Sequence, residues 1–276
     1  MASKEICMAE LRWWQTSWKR ICTGLRRMLI GLVLLCVLLL QVAVMIWELQ
    51  PVIAHVMLWH TAREIALENP NVALMPQPLA DNRVGTLKDG MSISRFGYVI
   101  QVPWATTKVM KDFKTVAIFG FADGSSLQIF DPADHMDMLK ATPADEAAQR
   151  EGLRPLLGDD AVRSHYDYAN AELYARPNEI AFFHSRHRNA RAMMLLTMKS
   201  MDIPEGTTVI YSVTDAHIRG FQFGDPKKVP MLIQLLLFDD HDRAMKLTLK
   251  GPRGSTQPVL TQEQINAIIA SVRPPD

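Results

Sequence analysis

The chain has 276 residues, of which 48% are hydrophobic, and its 30 lysines and arginines against 29 acidic residues give a formal net charge of +1. This composition excludes an intrinsically disordered chain and a strongly basic nucleic-acid-binding protein. The hydrophobic residues are unevenly distributed, because 18 of the 20 residues from 28 to 47 are apolar. The totals therefore average over two parts that suit different solvents.

Residues 1–27 are predicted to form a cytoplasmic amphipathic tail. Its apolar residues recur at alternating spacings of three and four, which places them on one face of a helix. Such a face is typical of a helix in the headgroup layer, either within an interfacial aromatic belt or docked on a partner membrane subunit. The predicted membrane or partner interface consists of Leu11, Trp14, Trp18, Ile21 and Leu25.

Residues 28–47 are predicted to form a single transmembrane helix. The segment is interrupted only by Gly31 and Gln41, and a helix of this length extends about 30 Å, the thickness of a hydrocarbon core. Six lysines and arginines against two glutamates precede it, a local net charge of +4. The positive-inside rule then places the N-terminus in the cytoplasm and the chain after residue 47 outside it.

A cleaved signal peptide ending at Val52-Ile53-Ala54 is the alternative interpretation, but the apolar run and the charged leader are longer than is usual for one. The three cysteines, Cys7, Cys22 and Cys36, lie in the tail or the span, so the exported part forms no internal disulfide. The chain has no Asn-x-Ser/Thr acceptor, which favours a bacterial envelope. We therefore predict a bacterial inner-membrane protein with a cytoplasmic N-terminus and a periplasmic C-terminal domain.

Residues 48–90 are predicted to form a juxtamembrane helix followed by a linker. Pro51 can open the helix over residues 52–68, and Asn69-Pro70 ends it because a residue before proline is disfavoured in the α region. Residues 70–90 are rich in proline and glycine, which predicts an extended linker. The folded extracytoplasmic domain is then expected over residues 91–276.

Local patterns in this domain predict strands, then helices, then more strands. A strand is predicted over residues 93–102, and a β-hairpin over residues 115–130 around the turn pair Asp123-Gly124. Helices are predicted over residues 137–151, 159–174 and 185–201.

The last part of the domain is predicted to contain four strands and a helix. The strands are expected over residues 208–213, 218–223, 231–238 and 243–249, the last two forming a hairpin over Asp239–Asp242. Thr261 and Gln264 have the capping-box spacing that begins a terminal helix. The element order predicts the α+β class, with a mostly antiparallel sheet packed with helices.

Three short motifs carry a resemblance to a known family. An aromatic strand ending in Pro103-Trp104, the hairpin after it, and a closing helix ending in Ala270-Ser271-Val272 are similar to PsbP-like α/β domains of envelope and photosynthetic membranes. The chain also resembles uncharacterised single-pass bacterial proteins that carry such a domain. The resemblance covers the two ends of residues 91–276. It implies a layered α/β fold and an accessory role at a membrane, and it carries over no site residues.

A basic cluster is the candidate anion-binding or partner-binding site. It consists of His184, Arg186, His187, Arg188 and Arg191. If Ser185 caps the following helix, these cations lie at the positive end of the helix dipole, which costs stability unless an anion compensates. The pattern indicates recognition of a phosphate, a lipid headgroup or an acidic protein surface. The alternative is a solvated face paired with Glu179, Glu172 or Asp167.

Two patterns bear on metal binding and catalysis. His184 and His187 could share a helical face, with Asp215, His217 or His241 as a third zinc ligand, but no general base and no His-Glu-x-x-His pattern accompanies them. The Asp-x-Asp within residues 239–242 resembles a glycosyltransferase manganese signature, yet its place between two strands favours a plain turn. We predict neither a metal site nor a cofactor nor an enzyme.

The sequence thus favours a single-pass membrane-anchored accessory or scaffold subunit. Its extracytoplasmic domain is expected to bind another membrane or periplasmic component. The predicted partners are the lipid bilayer and a membrane or periplasmic protein, and nucleic acid is excluded. The alternatives are a membrane-tethered metal-dependent hydrolase or transferase, and a lipid or apolar-ligand binding protein that uses the methionine-rich helix.

Overall fold

A computed structural model describes the chain in segments. The described residues are 39, 41, 52–54, 56–79, 83–87, 90–131, 151–181 and 184–273. Leu39 and Gln41, both helical, are the described residues of the predicted span. None of the helices in these segments is long and apolar enough to cross a bilayer. The predicted tail 1–27 and all but the last residue of the helix predicted over 137–151 lie outside the described residues.

The chain divides into two compact units, Met1–Val56 and Met57–Asp276. Residues 52–54 are helical, and helix α1 follows over residues 56–68, as the sequence predicts. The helix stops at Asn69, whose side-chain carbonyl accepts a hydrogen bond from the Asn71 amide at 3.2 Å. A short 3-10 helix, Pro70–Ala73, begins there. Proline suits the first turn of a helix, because the N–H that it lacks would have no partner within the helix.

The described residues contain ten strands. Their bounds are β1 Pro76–Pro78, β2 Met91–Arg95, β3 Tyr98–Val102, β4 Thr107–Asp112, β5 Val116–Phe121, β6 Ser126–Phe130, β7 Ile210–Thr214, β8 Ile218–Phe223, β9 Leu232–Asp239 and β10 Ala244–Lys250. Eight of them make one sheet in the order β1-β7-β8-β9-β10-β6-β5-β4, and β2 pairs with β3 separately. In the large sheet β1 runs parallel to β7, and the other pairings are antiparallel. The fold is therefore α+β with a mixed sheet packed against helices.

The described helices after α1 number five, with a 3-10 turn at Pro177–Glu179. They are α2 (residues 151–157), α3 Asp159–Val162, α4 His165–Tyr174, α5 Arg186–Asp202 and α6 Gln262–Ser271. The helix predicted over 159–174 is interrupted at Ser164, whose hydroxyl caps α4 by accepting from the Asp167 amide at 3.0 Å. The predicted cap of α5 at Ser185 and the capping box of α6 at Thr261 are both confirmed.

Two hairpins match the sequence and a third does not. β5 and β6 pair around Gly124, which has the positive φ of 86° that a tight turn requires. β9 and β10 pair around the predicted acidic turn. The single strand predicted over residues 93–102 is wrong, because the chain reverses at Phe96 and Gly97, with φ values of 50° and 79°. A phenylalanine rarely adopts a positive φ, so its presence gave no turn signal.

The segment predicted as a linker, residues 70–90, contributes to the sheet. Its strand β1 pairs with β7, Pro76 lying opposite Ile210. Proline cannot donate a ladder hydrogen bond, so a strand with two prolines fits only at an edge of the sheet. Since the partner strand lies far along the sequence, no local pattern predicts this pairing.

The core lies on both faces of the large sheet. Alternate residues of β9 point to opposite faces, so Leu235 and Leu237 belong to one core cluster while Leu236 and Phe238 contact another. On the first face pack α6 and the β2–β3 hairpin, and on the second face α4 covers β8 and β9. A third cluster joins α1, α2, α3 and α5. We call the two sides of the sheet the hairpin face and the helical face.

Candidate functional site

Helix α5 presents the predicted basic cluster on a fixed platform. Its side chains Ala192, Leu195 and Leu196 are buried among the other helices. At its first turns the fully buried Asn189 bonds both the amide and the carbonyl of Ala181, at 3.3 and 3.0 Å. The start of α5 is therefore held in place by packing and by a satisfied buried amide.

The five residues of the basic cluster divide into two groups. The imidazoles bond backbone carbonyls of neighbouring segments: His184 Nδ1 lies 2.7 Å from the carbonyl oxygen of Glu179, and His187 Nε2 lies 2.5 Å from that of Pro155. These two histidines fasten the start of α5 to the 3-10 turn and to α2. Arg186 is the first residue of α5, and its side chain lies outside the described part of the structure.

Arg188 and Arg191 form the second group. Both are exposed, and because they are three apart on a helix they lie on one face. Neither guanidinium forms an ion pair with any residue that the structure describes.

The acidic partners proposed in the alternative interpretation are engaged elsewhere. The carboxylate of Glu179 accepts from the Arg176 amide at 3.1 Å, and Glu172 is buried beside Asp202. Asp167 also forms no ion pair within the described segments. Two guanidinium groups thus remain available to an external anion. Arg188 lies in the first turn of α5, where a cation opposes the helix dipole and costs stability until an anion is bound.

The second predicted surface lies outside the described residues. It comprises the tail residues Leu11, Trp14, Trp18, Ile21 and Leu25. Its role therefore stays a prediction.

The acidic turn between β9 and β10 is a structural feature of the hairpin, as predicted. Asp239 is buried, and one carboxylate oxygen accepts from the amides of His241 and Arg243, both at 2.9 Å. The carboxylate of Asp242 accepts from the amides of His165 and Tyr166, so it caps the start of α4. Both carboxylates are used in holding the turn and the helix.

One of the histidines that could have completed a zinc site, His217, has another partner. His217 Nδ1 lies 3.0 Å from Asp240 Oδ2, and both side chains are exposed. No group of three or more His, Cys, Asp or Glu side chains among the described residues is arranged to hold a metal ion. The metal-dependent alternative gains no ligand set from these residues.

A buried ionisable cluster on the helical face was not predicted from the sequence. Glu172 on α4 and Lys199 on α5 are buried, and Lys199 Nζ donates to the Ala175 carbonyl at 2.9 Å. Burial, together with the charge and hydrogen bond of Asp202, raises the pKa of Glu172 well above its ordinary value. Burial lowers the pKa of Lys199 to about 8, against the opposing effect of Glu172. The sequence signal available was a lysine inside the apolar second half of α5.

Two cavities of the described part are small. A cavity of about 30 Å³ beside Glu172, Asp202 and Lys246 has room for about one water molecule. A cleft of about 260 Å³ lies between β7 and α6, with Asp215 and Asn266 in its wall. It is smaller than a typical site for a drug-sized ligand.

Comparisons with known proteins give no relative for this chain. No protein-family model, no curated protein and no solved structure matches it. The resemblance to PsbP-like domains therefore stays a prediction from the sequence.

Proposed function

We propose that the chain is a single-pass membrane-anchored accessory or scaffold protein, with an extracytoplasmic domain that binds an anionic group on another membrane or periplasmic component. The anchor is the apolar segment 28–47, and the preceding positive charge sets the orientation. The observation that carries the binding role is the exposed pair Arg188 and Arg191 on the rigidly packed helix α5, without an acidic partner in the described segments.

Two physical arguments support binding of an anion at this pair. Guanidinium groups bind carboxylates and phosphates through two parallel hydrogen bonds, which makes arginine better suited than lysine to this recognition. Arg188, in the first turn of α5, also opposes the helix dipole, so binding of an anion there relieves an unfavourable interaction while gaining a favourable one. Because the imidazoles of His184 and His187 anchor the backbone, only the arginine side chains have to be ordered on binding.

The test is charge reversal of both arginines in the full chain. A photoreactive residue is placed at the partly exposed Ala190, and the yield of cross-linked partner is measured. The double variant Arg188→Glu and Arg191→Glu should lower this yield at least about tenfold, since each hydrogen bond to a charged group contributes on the order of 1.5–3 kcal/mol. Arg253→Glu is the matched control, because Arg253 is exposed in the turn after β10 and forms no ion pair in the described segments.

Two outcomes separate the sources of the anion. A cross-link to one protein, lost in the double variant and kept in the control, supports an acidic protein surface. Protection of the first turns of α5 from hydrogen exchange in nanodiscs of anionic lipid, but not of zwitterionic lipid, supports a headgroup. If the double variant keeps both the cross-link and the protection, this binding role is wrong.

A further inference from the structure

We propose that the free edge of the large sheet, strand β4, binds an extended acidic segment of a partner protein by strand addition. The proposal goes beyond the arginine pair of α5, because it concerns a second surface and a different kind of contact. It rests on the backbone of β4, on two exposed apolar side chains and on three lysines.

The two edges of the large sheet differ in what they offer. The β1 edge is three residues long and contains Pro76 and Pro78, which removes two backbone donors. The β4 edge, Thr107–Asp112, pairs with β5 on one side and with no strand in the described residues on the other. An unpaired strand edge of this kind is a template for another extended chain.

Two apolar side chains at or beside this edge are exposed. Met110 and Phe113 are 54% and 52% exposed. Met110 lies directly opposite Phe119 of β5, which is buried in the core of the hairpin face. Directly opposed residues project from the same face of a sheet, so Met110 lies at the open rim of that core. A strand added beside β4 would extend the core and bury Met110.

The positive charge of this edge indicates which kind of segment binds there. Lys108, Lys111 and Lys114 are exposed, and none forms an ion pair with a described residue. The neighbouring carboxylate of Asp112 is already paired with Arg95. A second copy of this chain would bring like charges together, since lysines on an edge strand oppose pairing of identical edges. The complementary occupant is therefore an acidic segment.

The ladder geometry limits the length of that segment. The register of β4 against β5 shifts between Thr107 and Val109, so the regular part of the edge runs over residues 109–112. A bulge twists the strand and interrupts pairing. The added strand is thus expected to pair over about four to six residues, the ordinary length of a short strand.

The test uses the full chain in detergent and fluorescein-labelled seven-residue peptides in which glutamate alternates with valine. Fluorescence anisotropy should detect binding of the acidic peptide, whereas a peptide with lysine in place of glutamate should fail to bind. Lys111→Glu with Lys114→Glu should weaken binding at least tenfold. Lys227→Glu is the matched control, since Lys227 is exposed in the loop between β8 and β9.

A second peptide distinguishes strand addition from attraction between charges alone. The acidic peptide with alternate backbone amides methylated keeps its side chains but loses its ladder donors, so it should not bind. Equal binding of the methylated peptide, or no binding of the unmodified one, overturns the proposal. Self-association of the chain that is lost in the variant Met110→Glu also overturns it, because the occupant of the edge would then be a second copy. Binding is also measured in the background Arg188→Glu with Arg191→Glu, where the glutamates of the peptide cannot bind the arginine pair of α5. A loss on adding Lys111→Glu and Lys114→Glu in that background keeps this test independent of the proposed function.

Discussion

Two clusters of buried polar side chains, one on each face of the large sheet, consist of different kinds of group. On the hairpin face the fully buried Gln222 and the Gln262 side chain exchange two hydrogen bonds, at 2.9 and 2.8 Å, and Gln262 also donates to Asn266. On the helical face the buried side chains Glu172 and Lys199 are ionisable. The cluster beside α6 therefore consists of neutral amides, and the cluster between α4 and α5 contains groups whose charge depends on pH.

This difference teaches where the fold is sensitive to its surroundings. A reciprocal amide pair satisfies donors and acceptors at any pH, so this cluster and the packing of α6 around it should respond only to changes in packing. A buried carboxyl group and a buried amine exchange protons on unfolding, which links the stability of the helical face to pH. The predictions below test this contrast, in order of decreasing expected effect.

The largest effect is expected from a cavity on the hairpin face. Ile268 of α6 is fully buried in the core of that face, and Ile268→Ala should lower the free energy of unfolding by about 3 kcal/mol. Urea unfolding of the full chain in detergent, at pH 5 and pH 8, should give the same loss. Leu232→Ala, at a half-exposed position of β9, should cost less than about 1 kcal/mol. A loss at Ile268 that changes with pH would contradict the contrast between the faces.

On the helical face, Glu172→Gln should be more stable than the wild type, and the difference should grow as the pH rises. The raised pKa of Glu172 means that the folded state keeps a proton that the unfolded state has released. The free energy of unfolding of the wild type therefore falls as pH rises from the ordinary pKa of a glutamate through the raised one. The variant lacks this fall and should exceed the wild type by about 1–3 kcal/mol at the upper end, the cost of burying a polar group. Parallel pH profiles for the two proteins would show that Glu172 does not carry the proton.

Lys199→Met tests the opposite linkage. Because burial lowers the pKa of Lys199 to about 8, the unfolded state binds more protons than the folded state above that pH. The free energy of unfolding of the wild type should therefore rise between pH 8 and 10, by about 1–2 kcal/mol, and the variant should lack the rise. Burial raises the pKa of Tyr98 and Tyr168 to about 12, so above pH 10 the folded state keeps protons that the unfolded state releases. The free energy of unfolding then falls with pH, which limits the test to pH values below about 10. Lys250→Met, at an exposed lysine, should keep the wild-type rise.

The smallest effect is expected from the amide pair. Gln222→Leu leaves the Gln262 amide without its partner and should cost about 1 kcal/mol at every pH. The double variant Gln222→Leu with Gln262→Leu removes both partners and should recover most of that loss in a double-mutant cycle. An additive double variant would show that the two amides do not act as a pair.

Local chemistry explains what could be predicted from the sequence. The hairpin at Asp123-Gly124 and the start of α6 at Thr261 are each specified by a few adjacent residues, and both are confirmed. The hairpin at Phe96 was not predictable, because its turn relies on a phenylalanine at a positive φ. Strand β1 was not predictable either, since two prolines argue against a strand and the partner strand is remote.

The residues of the candidate site could be predicted from the sequence, but their contacts could not. The run of cations before α5 is visible in the sequence, but whether a histidine bonds a carbonyl or faces solvent depends on segments that fold against it. The burial of Glu172 depends likewise on the contact between α4 and α5, because on α4 alone a glutamate among tyrosines and alanines has the pattern of a solvated face.

The strand order constrains how the chain folds as it is synthesised. Strands β4, β5 and β6 emerge early, yet the second neighbour of β6 is β10, and β1 must wait for β7. Contacts between segments so distant in sequence form slowly, and an unpaired strand edge exposed during that wait favours aggregation. The sheet can be completed only after residue 250 has emerged. A chain that stops before β10 is therefore expected to expose the edge of β6 to chaperones and proteases.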